Sequence, residues 1–240
     1  MDVNTCDLAI IGAGAAGLFA AHFGALSAPP GTRAVAFDGA KKIGAKILIA
    51  GGGRCNVTHD VVRVEDYAAN PTGGSSRNAV KKVLKSFSVK DTIEFFRGRG
   101  VELKREETGK LFPTTDRARS VLNALLEACY EANAKLLTEH RVTAIAQAAD
   151  GRFRIATSQG EFTASRVVLS TGGLALPKTG SDGFGYRLAR SLGHTVTPTW
   201  PALVPLLLPS NHWLTKLKGI AADVELVLAG PTGKVIQRQA

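Results

Sequence analysis

Apolar residues follow two spacings along the 240-residue chain. Leu8 to Ile11 (L-A-I-I) and Ala34 to Phe37 (A-V-A-F) are unbroken apolar runs, the pattern of strands covered on both faces. Between them, Ala15 to Leu26 reads as a helix with little polarity, and Pro29 and Pro30 keep 28–33 out of it. Ser76 to Phe87 places Ala79, Val80, Val83, Leu84 and Phe87 on one helical face, leaving Lys81, Lys82 and Lys85 solvated. Ser88 with Asp91 forms a capping box that opens a second helix through Phe96, ending near Gly98 and Gly100. Val101 to Phe112 predicts a hairpin turning at Thr108-Gly109. Ala118 to Ala132 predicts a helix in which Val121, Leu122, Leu125, Leu126 and Cys129 form the core stripe. Arg141 to Ala146, Phe153 to Thr157 and Glu161 to Leu169 alternate like three antiparallel strands, with turns at Asp150-Gly151 and Gln159-Gly160. A short helix starts near Gly183, and His194 follows its terminal Gly193, where a capping or buried role is expected. From Thr197 the pattern changes. Pro198, Pro201, Pro205 and Pro209 bracket an extended run, Leu203 to Leu208, and 219–237 reads as two short strands turning at Gly230 to Gly233.

The stretch joining the first strand to the first helix carries the chemistry. Gly12, Gly14 and Gly17 have G-x-G-x-x-G spacing, and strand, glycine turn and helix together form a dinucleotide-binding fingerprint. Gly12 permits a tight turn. Gly14 lets the backbone approach a pyrophosphate, and Gly17 lets helix and strand pack closely. With Ala13, Ala15 and Ala16 they present bare backbone where unpaired N–H groups and the helix dipole attract phosphate. Asp38 ends the second strand, 21 positions after Gly17, near the distance for a carboxylate that accepts from ribose hydroxyls. The reading is an α/β, Rossmann-like domain over 1–195 with a helical and hairpin insertion at 76–117. The beginning of a second, mostly β domain follows over 196–240. S-adenosylmethionine also suits such a turn, so a methyltransferase stands as an alternative.

A second glycine cluster lies in Lys41 to Thr58. Gly51, Gly52 and Gly53 make poor regular structure and suit close backbone approach to a flat or charged group. Lys42 and Lys46 add positive charge there, and Arg54 and Asn56 can donate hydrogen bonds. Cys55 adjoins the glycines, but without a histidine motif or a second nearby cysteine a structural role is expected.

At these residues the chain resembles the aminoacetone-oxidase-like flavoproteins, often called NAD(P)/FAD-dependent oxidoreductases, which include a bile-acid intermediate reductase. Their mark, K-x-L-x-S-G-G-G-R-C-N-x-T, reads here K-I-L-I-A-G-G-G-R-C-N-V-T, with Ala50 in place of serine. Further matches are L-F-P-T-T-D-R-A around Phe112, V-V-L-S-T-G-G at Val167 to Gly173, and P-K-T-G-S-D-G-F-G-Y-R-L-A-R-S-L-G-H from Pro177. The resemblance implies FAD. Its pyrophosphate would lie at Gly12 to Gly17, its adenosine ribose near Asp38 and its adenine against the Val142 backbone. Lys46 and the Gly51 to Asn56 loop would lie near the ribityl chain and flavin ring, with Thr171, Gly172 and Gly173 passing the cofactor. The family is longer than this chain, so a non-catalytic fragment that holds FAD weakly and exposes apolar surface is a second alternative.

Composition narrows this picture little. An apolar fraction of 45% and a charged fraction of 21% are ordinary for a globular chain that can bury a core. The formal net charge of +10 suits an anionic partner. The basic residues are scattered and not interleaved with aromatics, so a phosphate-rich cofactor, or a longer chain whose acidic remainder is absent here, is expected rather than nucleic acid. Three distant cysteines show no metal spacing and suit a reducing cytoplasm. Neither a signal peptide nor a membrane span is read from the chain. The activity implied is a flavin-dependent oxidoreductase that passes electrons from NADH, NADPH or an organic donor to a small-molecule acceptor or to oxygen. With a single G-x-G-x-x-G, any nicotinamide would bind transiently at the flavin face. No catalytic acid or base and no metal ligand is assigned, and the oligomeric state is left open.

Overall fold

Strand β1 (Thr5–Ile11) is flanked on both sides by parallel neighbours, and this explains its unbroken apolar run. In the computed structural model, which describes residues 4–67, 77–201, 207–217, 220 and 222–239, the chain divides into two compact units, Met1–Thr197 and Pro198–Ala240. Helix α1 (Ala15–Leu26) leads from β1 to β2 (Ala34–Phe37). In the larger unit a six-stranded sheet has the order β6 (Lys135–Leu137), β2, β1, β9 (Gly160–Leu169), β8 (Phe153–Thr157), β7 (Val142–Gln147). The first four are parallel, and β7, β8 and β9 form the antiparallel meander read from the sequence. The fold is therefore a Rossmann-like α/β domain with a mixed sheet.

Alternation along the central strands splits their side chains between two cores. Ile10, Ala34 and Ala36 face α1 and helix α5 (Ala118–Glu131), while Ala9, Ile11, Val35 and Phe37 face β7, β8 and helix α6 (Phe184–Ser191). Two buried polar contacts join α1 to α5. His22 Nδ1 lies 2.7 Å from the Ala128 carbonyl oxygen, so that nitrogen donates, and Cys129 Sγ donates to the Leu18 carbonyl at 3.2 Å. Phe19 and Phe23 of α1 interlock with Phe95 and Phe96 of helix α4 (Val89–Arg97), with Phe19 and Phe95 centroids 4.7 Å apart. The Ser88–Asp91 capping box is present, with Ser88 N–H donating to Asp91 Oδ2 at 2.7 Å and Asp91 N–H donating to Ser88 Oγ at 3.2 Å.

Between β2 and α5 the chain first forms helix α2 (Ala45–Ile49). Strand β3 (Thr58–His59), helix α3 (Arg77–Ser86), α4, and the hairpin of β4 (Leu103–Arg105) and β5 (Lys110–Pro113) follow, with β3, β5 and β4 making a three-stranded sheet. The predicted start of α3, Ser76, lies outside the described residues. His194 takes the capping one of its two expected roles. Its backbone N–H donates to the Ala189 carbonyl and closes α6, while the residue is exposed.

The smaller unit contains a turn of 3₁₀ helix (Trp213–Lys216) and an antiparallel hairpin of β10 (Leu226–Ala229) and β11 (Val235–Gln239). Glu225 and Arg238 pair beside the hairpin, and Val227, Leu228 and Ile236 are exposed. Most of the predicted run Leu203 to Leu208, and parts of 219–237, lie outside the described residues. Among the described residues no helix is long and apolar enough to cross a membrane, and no cluster of three metal-ligating side chains occurs.

Cys6, Cys55 and Cys129 are buried and unpaired. Burial pushes the thiols of Cys6 and Cys129 up to about 11, from an ordinary value of 9.0. A raised folded-state value means that their contribution to stability is complete below pH 9 and fades as pH rises through 11. The denaturant midpoint should therefore fall across that interval. A Cys6→Ala/Cys129→Ala variant, less stable at neutral pH, should show a shallower decline; an identical pH profile would contradict it.

Candidate cofactor-binding site

The turn after β1 is held from three directions. Gly12 has φ +99°, its N–H donates to the Phe37 carbonyl at 2.8 Å, and a β-carbon there would lie 2.7 Å from the Ser170 carbonyl oxygen. The Ser170 hydroxyl, just past β9, lies 3.0 Å from the Ile11 carbonyl oxygen and 2.8 Å from that of Gly12. The Ala13 N–H donates to Asp38 Oδ2 at 2.9 Å, and Asp38 Oδ1 accepts from the Ala40 N–H at 2.8 Å. Asp38 is thus a brace for the turn. Its carboxylate still has lone pairs free for an outside donor.

Gly14 and Gly17 are glycines for different reasons. At Gly17 a β-carbon would overlap the Gly12 carbonyl oxygen, so the fold itself excludes a side chain. At Gly14 the backbone is extended (φ −75°), and beyond the adjoining chain no atom of the protein lies within 4 Å of where a β-carbon would stand. Neither strain nor packing requires that glycine. Gly14 is also the N-cap of α1, with no side-chain cap and no acidic residue in the first turn. The first N–H groups of a 12-residue helix therefore face the cleft unpaired, a ready anion site.

The turn opens into a cleft of about 1200 Å³, above the usual range of roughly 300–1,000 Å³ for small-ligand pockets and roomy enough for a large cofactor. Gly12, Gly14, Ala15, Ala16, Asp38, Lys46, Asn56, Val142, Thr171 and Gly172 line it. Its charged lining comprises Lys42, Lys46, Arg141 and Lys178 against Asp38 and Asp182. Two positive charges are thus in excess, matching the two negative charges of a diphosphate diester. Arg141 donates to Asp182 at 2.6 Å and holds that carboxyl below the usual carboxylate range, aided by the Phe184 N–H. An apolar arm runs along α1 past Phe19, Phe23, Phe87 and Phe96.

Other predicted residues lie elsewhere. Ala13 and Gly17 shape the turn from behind without lining the cleft. Gly51, Gly52 and Gly53 are left-handed in succession (φ 55°, 68° and 87°) but do not line it either, and a β-carbon on Gly51 would press on Phe112. Arg54 turns away from the cleft. Its guanidinium pairs with Glu106, lies 3.8 Å from Asp116, and stacks 4.2 Å over the Phe112 ring. Gly173 packs against the Tyr186 hydroxyl rather than the cleft. Cys55 does line the cleft, in a left-handed conformation (φ 65°), its thiol pushed up by burial. The sequence reading missed Arg141, Asp182 and Ser181 as cleft residues. The only local signal was the glycine-rich Pro177 to Gly193 stretch, because the Arg141–Asp182 pairing spans 41 positions.

Comparison with known proteins agrees with the Rossmann-like fold. The profile described as "HI0933-like protein Rossmann domain" matches residues 6–233. A 3-dehydro-bile acid delta(4,6)-reductase from Clostridium scindens is 37% identical over 95% of this chain and 55% of its own length. A ribosomal RNA dihydrouridine synthase from Escherichia coli is 33% identical over 96% of this chain and 55% of its own. The chain thus spans about half the length of the curated relatives it matches. A 3-ketosteroid-delta4-(5alpha)-dehydrogenase from Rhodococcus jostii shares the fold (TM-score 0.53, 14% identity, 72% of this chain and 47% of that one). A flavocytochrome c3 fumarate reductase does so with TM-score 0.51, 18% identity, and 79% and 41% coverage.

The glycines separate folding from binding. Gly14→Val should keep the far-ultraviolet dichroism and thermal midpoint of the parent while losing FAD retention, because its side chain enters only ligand space. Gly17→Val should fail to fold. A Gly14→Val protein with a full complement of flavin would mean that the phosphates lie elsewhere. Asp38→Asn should weaken FAD binding by roughly 1–3 kcal/mol, measured by fluorescence titration, through the ribose and the loosened Ala13 amide.

Proposed function

The chain belongs to a family of FAD-dependent oxidoreductases, the HI0933-like Rossmann-domain proteins, and we propose that it binds FAD in the cleft and passes electrons from NADH, NADPH or an organic donor to a small-molecule acceptor. The observation that carries this reading is Gly14: a glycine that neither backbone strain nor packing demands, capping an open helix terminus. The residues present suit the cofactor. The α1 amides meet a diphosphate, and Asp38 accepts from the adenosine ribose through its spare lone pairs. The Val142 backbone borders the adenine, while Asn56, Thr171 and Gly172 border the ribityl chain and ring. Bound there, FAD would supply the two-electron redox chemistry. The protein's part is to orient donor and acceptor against it, with the apolar arm along α1 keeping water from that side.

The acceptor favoured here is a carbon–carbon double bond conjugated to a carbonyl. The names of the bile acid reductase and the dihydrouridine synthase both denote saturation of such a bond, in a 3-oxo bile acid and in uracil. Oxygen, the acceptor suggested by the resemblance to aminoacetone oxidases, is the competing choice.

The protein as isolated, or after incubation with FAD, should be yellow with bands near about 375 and 450 nm, which belong to the cofactor. Anaerobic NADH or NADPH should bleach the longer-wavelength band, and an enone should restore it without air. A colourless protein that takes up no FAD but retains labelled S-adenosylmethionine would replace this reading with the methyltransferase. Recovery of colour with air alone would favour oxygen.

A further inference from the structure

Helix α3 carries its charge on one flank and its apolar residues on the other, and the described residues satisfy neither. Arg77, Lys81 and Lys85 follow one another at four-residue steps, with Lys82 on the same flank. None of these cations enters an ion pair found among the described residues. The sequence from Tyr67 to Lys90 contains five basic residues and no acid. The opposite flank holds Val80, Val83 and Leu84, yet no residue of the helix is buried and Val83 is 67% exposed. A ten-residue helix is too short to persist in water on propensity alone, so its apolar side calls for cover. Its main neighbour is the 3₁₀ turn Val64–Asp66, whose Glu65 and Asp66 pair with none of the four cations. The apolar flank continues beyond the helix. Leu84 borders an open groove of about 590 Å³ with Val61, Val62, Val89 and Ile93 as its apolar wall, and Val61 is itself exposed.

We propose that α3 is a docking face for an anionic lipid surface, a role independent of the cofactor held in the cleft. A basic amphipathic helix lies in the plane of such a surface, with its apolar residues at the headgroup–acyl boundary and its cations among the lipid phosphates. Lipid answers both flanks at once. Anionic headgroups meet Arg77, Lys81, Lys82 and Lys85, and acyl chains meet Val83 and the groove wall. RNA would answer the charges and leave the apolar flank in water. An apolar protein partner would cover that flank and leave the cations unmatched. The helix is held at its carboxyl end, because Phe87 packs on Phe19 and Phe23 of α1 with ring centroids 5.8 and 5.4 Å away. With one short helix engaged, attachment is reversible and follows the anionic fraction of the lipid.

The test is co-sedimentation of the whole chain with two kinds of vesicle, phosphatidylcholine alone and a roughly two-to-one mixture of phosphatidylcholine and phosphatidylserine. The chain should pellet with the mixed vesicles, stay in solution with phosphatidylcholine alone, and be released as salt rises. Lys81→Gln/Lys82→Gln/Lys85→Gln should cut the partition coefficient roughly 100-fold, as expected for removing three charges near an anionic surface. Val83→Ser should cut it about fivefold and leave the salt dependence unchanged, because it removes apolar area alone. Both variants should keep the parent's thermal midpoint, since the lysines make no ion pair to lose and Val83 lies in solvent. A marked fall in that midpoint would give these side chains a structural role and overturn the docking face. Fluorescence titration with an oligouridylate probes the rival partner. Lysine-dependent RNA binding that ignores Val83→Ser, with no pelleting on the mixed vesicles, overturns the lipid in favour of RNA. Equal pelleting on both vesicle types, or pelleting that neither variant reduces, overturns it as well.

Discussion

The Cα of Gly17 and the carbonyl of Gly12 approach so closely that no β-carbon fits between them. That contact presses the first turn of α1 against the end of β1. It sets where the helix terminus points, and so where its unpaired N–H groups are aimed. The other braces serve the same geometry: the Phe37 carbonyl, the Asp38 carboxylate and the Ser170 hydroxyl each hold one part of the turn. Every one of them comes from a strand end next to β1, so the parallel pairing of β2, β1 and β9 is what assembles the site.

Charge is arranged on that frame with little redundancy. Arg54, Lys104 and Arg105, though near the glycine-rich motif or its hairpin, are neutralised by Glu106, Asp116 and Asp60. Arg141 is tied to Asp182. Such exposed pairs contribute little stability individually. Of the four cations that line the cleft only Arg141 enters an ion pair found among the described residues, which leaves Lys42, Lys46 and Lys178 to set the sign of the site.

Much of the fold was legible because local pattern and tertiary role coincide. The bounds of α1 and β2 follow from apolar runs between turns and those of β8 from alternation between two turns, and the Ser88–Asp91 cap was readable because its partners are three residues apart. Strand β6 was not legible: three residues carry no periodicity, and only pairing with Val35 to Phe37 makes Lys135 to Leu137 a strand. The same limit applies to the site. The glycines and Asp38 lie within one β-α-β stretch and announce themselves. Arg54 was read as a donor to the cofactor from its position beside three glycines, but its partners lie across the small sheet, where no spacing rule reaches.

The bond from Ser170 to Gly12 spans 158 positions. On a ribosome adding about 5–20 residues per second, the glycine turn emerges roughly 8–30 seconds before the strand that completes it. For that interval β1 has β2 on one side and an open edge on the other, an apolar strand of the kind that seeks a partner. Birth order therefore leaves the newly made amino-terminal segment with an unpaired edge, and the glycine turn is complete only after residue 170 has left the tunnel.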